Sequence, residues 1–197
     1  MKITCHRQSH TIGSREFSAA RTADGVAELW ADTDDALACA LGAAHAADRL
    51  VQMVMARIVG QGRISECLSD NETTFAIDLF MRRMGFRREA DREVEQLTPD
   101  ARRFADAYSA GVNHVIATRR RPLELVLVKH HPDEWAPADT LLTIKLMSYL
   151  GLAQSQQDAE KLIIQAIHGG ASTGTLRRFF SPLLDDLDDE TATAIRG

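Results

Sequence analysis

Ala44-His45-Ala46-Ala47-Asp48-Arg49-Leu50-Val51-Gln52-Met53-Val54-Met55-Ala56-Arg57 is the stretch on which the fold turns. It contains neither proline nor glycine and is rich in residues that lose little freedom in a helix. It also belongs to a longer apolar series, Leu37, Leu41, Ala44, Val51, Met55 and Ile58, recurring at three- and four-residue spacing. The pattern predicts one long amphipathic helix, capped by Asp32 or Asp34 and ending near Gly60 and Gly62. The stripe is read as core. Burial of a large apolar side chain contributes about 1.5–3 kcal/mol, which accounts for Met53 and Met55 without a cofactor.

Upstream, Phe17 to Ala23 and Val26 to Ala31 flank the turn residues Asp24-Gly25 and predict a short hairpin. Downstream, Phe75, Leu79, Phe80 and Met84 mark one face of a second helix that Gly85 ends. Thr98-Pro99-Asp100 is the clearest helix start in the chain, with threonine as cap and proline in the first turn. The stripe that follows is Phe104, Tyr108, Val112 and Val115 or Ile116, and Pro122 ends that stretch. Leu123 to Val128 is expected as a short strand or extended connector, followed by a polar turn, His130 to Glu134, anchored by Trp135. Asp139 is expected to cap a helix over Leu141 to Leu150, and another runs from Gln156 to His168, stopping at Gly169-Gly170. The tail from Asp185 offers only Leu187 and Ile195 for packing. The expectation is a mainly α chain with two to four short strands near its start and middle.

The chain has 197 residues, 45% hydrophobic and 26% charged, which suits one domain or part of a larger one and excludes disordered, collagenous and coiled-coil classes. Its net charge of -5 argues against nucleic acid as a partner, and its arginine pairs are mostly interleaved with acids as solvated helix faces. The most apolar run, Leu141 to Leu152, is interrupted by Thr143, Lys145 and Ser148 and falls short of the ~20 residues that a bilayer crossing needs. No membrane association is expected. Cys5, Cys39 and Cys67 are an odd count without Cys-x-x-Cys spacing and indicate neither a disulfide framework nor a zinc site. Met1 to Phe17 lacks the apolar core of a secretory signal, so the expectation is a cytoplasmic protein, or a periplasmic or secreted one if a leader has been removed.

The residues alone supply no complete active site. His45 and Asp48 share a helix face and are read as a hydrogen-bonded structural cluster, because no third ligand is spaced to join them. His130, His131 and Asp133 are read as a solvated turn rather than a metal site. Gly169 to Thr175 has the small residues of an anion loop without the Gly-Lys-Ser/Thr ending and is expected as a connector. No Gly-x-Ser-x-Gly elbow is present.

Taken in order, several segments resemble the small (alpha) subunit of the penicillin acylase family of N-terminal nucleophile hydrolases. Ala44 to Arg57, continuing through Gly62-Arg63-Ile64-Ser65-Glu66, is similar to the family's Ala-x-x-Asp-Arg-Leu-x-Gln-Met-x-x-x-Arg helix and its Gly-(Arg)-x-x-Glu ending. Met81 to Arg88 resembles the next block, and Leu97-Thr98-Pro99 through Tyr108 to Asn113 resembles the one after it. Pro122-Leu123-Glu124-Leu125, Trp135-Ala136-Pro137-Ala138-Asp139 and Lys145-Leu146-Met147 complete a match over about residues 25 to 152. The chain departs from the family at Ala27-Glu28, where a Pro-His pair is usual.

The resemblance implies that residues 1–197 are the alpha chain of an αββα-sandwich heterodimer, part of a larger domain completed by a beta chain from the same precursor. Residues 181–197 would be an exposed processed tail, ending where autocatalytic cleavage leaves Gly197. No catalytic residue is expected in this chain: the nucleophile would be the first residue of the beta chain, its own α-amine, titrating at about 7.7–8.0, serving as base. The expected reaction is hydrolysis of an acyl amide such as a beta-lactam, an acyl-homoserine lactone or a lipopeptide intermediate. Carried over onto this sequence, the family's acyl-pocket positions fall at Met147, Leu150 and Gly151, of which only the methionine matches. The loss of an aromatic and a cation there implies a roomier, more apolar pocket and a longer acyl chain. The family's calcium-binding glutamate falls nearest Glu160, while strict spacing lands on Gln157. No organic cofactor is expected. Two other readings are an acyltransferase or amide-forming enzyme of the same fold and a non-catalytic helical binding module.

Overall fold

A computed structural model of the chain describes residues 7–196. The chain forms two compact units that divide between Leu146 and Met147. The first opens with three antiparallel strands, β1 (Gln8–Ile12), β2 (Arg15–Arg21) and β3 (Ala27–Ala31), in the order β1-β2-β3. Phe17 stands opposite His10 on one side and Ala31 on the other. The hairpin expected around Asp24-Gly25 is present, with Gly25 at φ +83 and its N–H bonded to the Thr22 carbonyl. β1 escapes a sequence reading because Gln8-Ser9-His10-Thr11-Ile12 lies almost wholly in solvent and has no apolar alternation to detect. Phe17 anchors the sheet against Cys39 and Ala40 of the first helix.

The stretch expected as one long helix is α1 (Asp34–Gln61), kinked at Arg49, whose φ of -135 and ψ of 19 are not helical, and Gly62 at φ +64 closes it in the left-handed conformation. Its cap is Thr33, whose hydroxyl accepts from the Ala36 amide at 3.2 Å, rather than Asp32 or Asp34. Asp34 and Asp35 fall in the first turn instead, where carboxylates suit the positive end of the helix dipole. α5 (Pro99–Thr118) crosses α1 backbone to backbone. A Cβ on Gly42 would collide with the Tyr108 carbonyl, and one on Gly111 with the carbonyl of Cys39. The principal core forms beside this crossing from Ala46, Leu50, Val54, Ile58, Val112, Val115, Leu125 and Trp135.

α2 (Ile64–Cys67), α3 (Glu72–Met84) and α4 (Phe86–Gln96) follow. Asn71 and Thr74 form a reciprocal capping box at the start of α3, and Gly85 at φ +72 ends α3 and begins α4. The apolar face expected on α3 is real but faces solvent: Phe75, Leu79, Phe80 and Met84 are exposed while Asp78 and Met81 are buried. Leu123–Leu127 is a helical turn, α6, and not a strand. The three-stranded ladder lies elsewhere, whereas a single turn satisfies its own amides and seats Leu125 in the core.

The two helices expected within 141–168 are one, α7 (Pro137–His168), which begins in the first unit and ends in the second. Gly151 costs only about 1 kcal/mol relative to alanine inside a helix, and Ser155 bonds back to its carbonyl at 3.1 Å. The second unit packs Ile163 and Ile167 of α7 against Leu176 of α8 (Thr173–Phe180), with Phe180, Leu184 and Leu187 around them. Ser172 caps α8, so the small-residue loop is a connector only as far as Ser172. Residues 181–196 form turns and α9 (Asp189–Arg196), most of them exposed, with Ala192 buried.

Candidate functional site

In the second unit, Met147, Leu150 and Gly151 share one face of α7 by their three- and four-residue spacing. Met147 is 51% and Leu150 49% exposed, and a Cβ built on Gly151 meets no atom within 4 Å. None of the three belongs to a core.

Glu160 lies exposed farther along α7 and accepts from the Gln156 side-chain amide at 2.7 Å. Calcium takes about 6–8 oxygen ligands, and among the described residues no three His, Cys, Asp or Glu side chains converge. Glu160 offers a single carboxylate there. Gln157, also exposed, offers only a neutral amide.

In the first unit, the start of α7 is fixed by a buried ionic network. Arg57 reaches Asp139 at 3.4 Å and the carbonyls of Asp133 and Glu134 at 3.2 and 3.1 Å, with its guanidinium beside the Trp135 ring. Arg87 donates to the other Asp139 oxygen at 2.9 Å. Asp139, expected as a cap, stands in the first turn and accepts from the Ala136 amide at 2.9 Å. Asn113 accepts from the Trp135 amide and donates to its carbonyl. The sequence signal for this network is present in the pairing of the Asp-Arg-Leu helix with Trp135 to Asp139, but spacing alone does not show that Arg57 and Asp139 meet.

A second carboxylate organises α2. Asp78 accepts from the Ile64 and Ser65 amides, both at 2.8 Å. Burial pushes its pKa up, but those amides and Arg82 outweigh it and hold the group below the ordinary aspartate value.

His45 and Asp48 do not form one site. His45 Nδ1 is hydrogen-bonded to the Tyr108 hydroxyl at 3.0 Å, whereas Asp48 pairs with Arg21 of β2. Burial pushes the Tyr108 phenol up and keeps it protonated. His130, His131 and Asp133 are also separate. His131 is exposed, Asp133 reaches Arg63 at 3.9 Å, and His130 has a buried Nε2 without a partner among the described residues. Burial and the nearby Arg57 lower the His130 pKa, with Asp133 opposing. Cys39 and Cys67 are free thiols pushed up by burial, away from the thiolate form a nucleophile needs.

A cavity of about 550 Å³ lies between the sheet, α1 and α5, floored by Ala40, Ala43, Ala44 and Ala47. At its rim the Thr118 hydroxyl donates to the His114 carbonyl at 2.6 Å, a bond within its own helix.

Sequence comparison matches residues 18–189 to the penicillin amidase family. The chain is 36% identical over 121 residues to the acyl-homoserine lactone acylase QuiP of Pseudomonas aeruginosa, covering 60% of this chain and 14% of that protein. It is 33% identical over 112 residues to the penicillin acylase 2 proenzyme of a Pseudomonas species, covering 56% of this chain and again 14% of the relative. The chain thus aligns with about a seventh of the length of these relatives. Among solved structures, the thermostable penicillin G acylase of Alcaligenes faecalis has a chain with the same fold, with a TM-score of 0.61 at 21% identity, covering 93% of this chain and 92% of that one. With a family match over most of its length and a mainly helical architecture shared with that acylase, this chain belongs to the penicillin amidase family.

Proposed function

We propose that this chain is the small subunit of an autoprocessed amide hydrolase and that Met147, Leu150 and Gly151 form one wall of its acyl-binding pocket. The carrying observation is the open apolar face of α7, two large side chains about half exposed beside a glycine with free space above it. Such a face accepts an aliphatic chain without a polar group having to be desolvated. Relatives about four times as long as this chain, one of them described as a proenzyme, and a solved acylase chain of matching extent support a larger partner chain cut from a common precursor.

In this reading the first residue of the partner chain attacks the substrate carbonyl while its own α-amine takes the proton. The amide C–N bond breaks, the amine leaves carrying that proton, and water hydrolyses the acyl-enzyme to a carboxylate. The chain's own residues bind and orient the acyl group. Glu160 contributes one carboxylate to a structural calcium completed by the partner. Acyl-homoserine lactones are the substrate class favoured by the relatives together with the aliphatic character of the α7 face.

The test is intact mass and N-terminal sequencing of the purified full-length gene product, followed by assay of homoserine lactone release from acyl chains of graded length beside penicillin G. The reading requires two chains, the larger beginning with Ser, Cys or Thr, and turnover of an acyl amide. A single uncut chain without amidase activity overturns it.

A further inference from the structure

We propose that the concave corner between α3 and α4 binds a small oxyanion, phosphate or a carboxylate. A cavity of about 430 Å³ opens there beside the end of α1, and the side chains of Arg82, Arg87, Arg88 and Arg92 line it against only two carboxylates, Asp91 and Glu95. The corner is locally cationic in a chain whose net charge is -5.

The four guanidinium groups differ in what they have left to donate. Arg87 is committed, with Nε 3.0 Å from Asp91 and Nη1 2.9 Å from Asp139, and it neutralises Asp91 in doing so. Arg82 uses Nε on the Gly62 carbonyl at 2.8 Å, which leaves both terminal nitrogens. Arg92 approaches Glu89 only to 3.6 Å. Arg88 has no hydrogen bond or ion pair among the described residues. It folds back over Gly85, where an added Cβ would stand 2.9 Å from its Nη2. Gly85 thus supplies both the left-handed turn and the space for the guanidinium.

Three cations with unused donors around one concavity repel one another, and a bound oxyanion turns that repulsion into charge-assisted hydrogen bonds. The planar fork of arginine matches carboxylate and phosphate oxygens better than it matches a spherical halide. The start of α4 carries no side-chain cap, so its amide dipoles add potential of the same sign. Glu95, three residues beyond Arg92 on α4, and Glu89, 3.6 Å from Arg92, oppose an anion.

The test is calorimetric titration of the full-length gene product with inorganic phosphate, and separately with acetate, at fixed ionic strength against chloride. Saturable binding of either anion is expected, about tenfold weaker in Arg88→Ala, with Arg92→Ala as an independent second variant, and severalfold tighter in Glu95→Gln. The arm that saturates identifies the anion as phosphate or carboxylate. Heats no different from chloride, or affinities unchanged in all three variants, overturn the proposal.

Discussion

Arg57 on α1 and Asp139 on α7 meet at 3.4 Å with both side chains almost fully buried, 5% and 4% exposed. Asp139 also accepts from Arg87, so one carboxylate compensates two guanidinium groups while Arg57 holds two loop carbonyls. Removing one member of a buried pair leaves an uncompensated charge and costs about 3–5 kcal/mol. Asp139→Ala is therefore expected to destabilise the protein by that amount, measured by urea denaturation of the full-length gene product. Arg57→Lys keeps the charge but cannot span both carbonyls and Asp139, and is expected to recover only part of the loss.

The crossing of α1 and α5 gives a second prediction. Gly111 approaches the Cys39 carbonyl so closely that a methyl group there requires the two helices to separate. Overpacking of this kind costs about 1–3 kcal/mol, more when the obstacle is backbone and not a mobile side chain. Gly111→Ala is expected to lower the unfolding midpoint well below that of Gly151→Ala, whose Cβ meets open space.

His130 makes the protein sensitive to mild acid. Its imidazole is held below the ordinary value of 6.5 by burial and by Arg57, with Arg63 and His131 acting the same way and Asp133 opposing. The unfolded chain takes up a proton on this residue more readily than the folded chain as the pH drops below about 6.5, so stability falls with pH in that window. Denaturation curves between pH 7.5 and 5 are expected to show this loss in the wild type and a flatter dependence in His130→Gln. Identical slopes in the two proteins would remove His130 as the cause.

Helix ends with strong punctuation were legible in the sequence, Gly62 closing α1 and Thr98-Pro99 opening α5, but the α1 stripe was drawn off the core face, since of Leu37, Leu41, Ala44, Val51, Met55 and Ile58 only Ile58 is buried and Leu37 is exposed. What was not legible depended on partners distant in the chain. β1 shows no apolar alternation, and Leu123–Leu127 reads as β-prone until one sees that only Leu125 is buried. The α3 stripe has helical period, but its period does not say whether the face meets this chain or another surface. The positions Met147, Leu150 and Gly151 came from family resemblance, and periodicity by itself would have placed the first two in a core.

The openness at Gly151 makes a prediction about acyl chain length. Met147 and Leu150 flank a position where a Cβ meets nothing within 4 Å, so side-chain volume added there occupies space along the wall proposed for the acyl group, which a long chain needs more than a short one. Each methylene kept out of an apolar pocket forfeits about 0.8 kcal/mol, and several excluded methylenes amount to a loss of tenfold or more. Gly151→Phe is expected to lower kcat/KM for long-chain acyl-homoserine lactones by at least that factor and to leave a four- to six-carbon chain nearly unaffected, because the short chain does not reach the new ring. Gly151→Ala, which adds a single carbon, is expected to fall between the wild type and the phenylalanine variant. A uniform fall across all chain lengths would show instead that position 151 acts through the stability of α7 or its contact with a partner, and that the acyl group does not lie along this face.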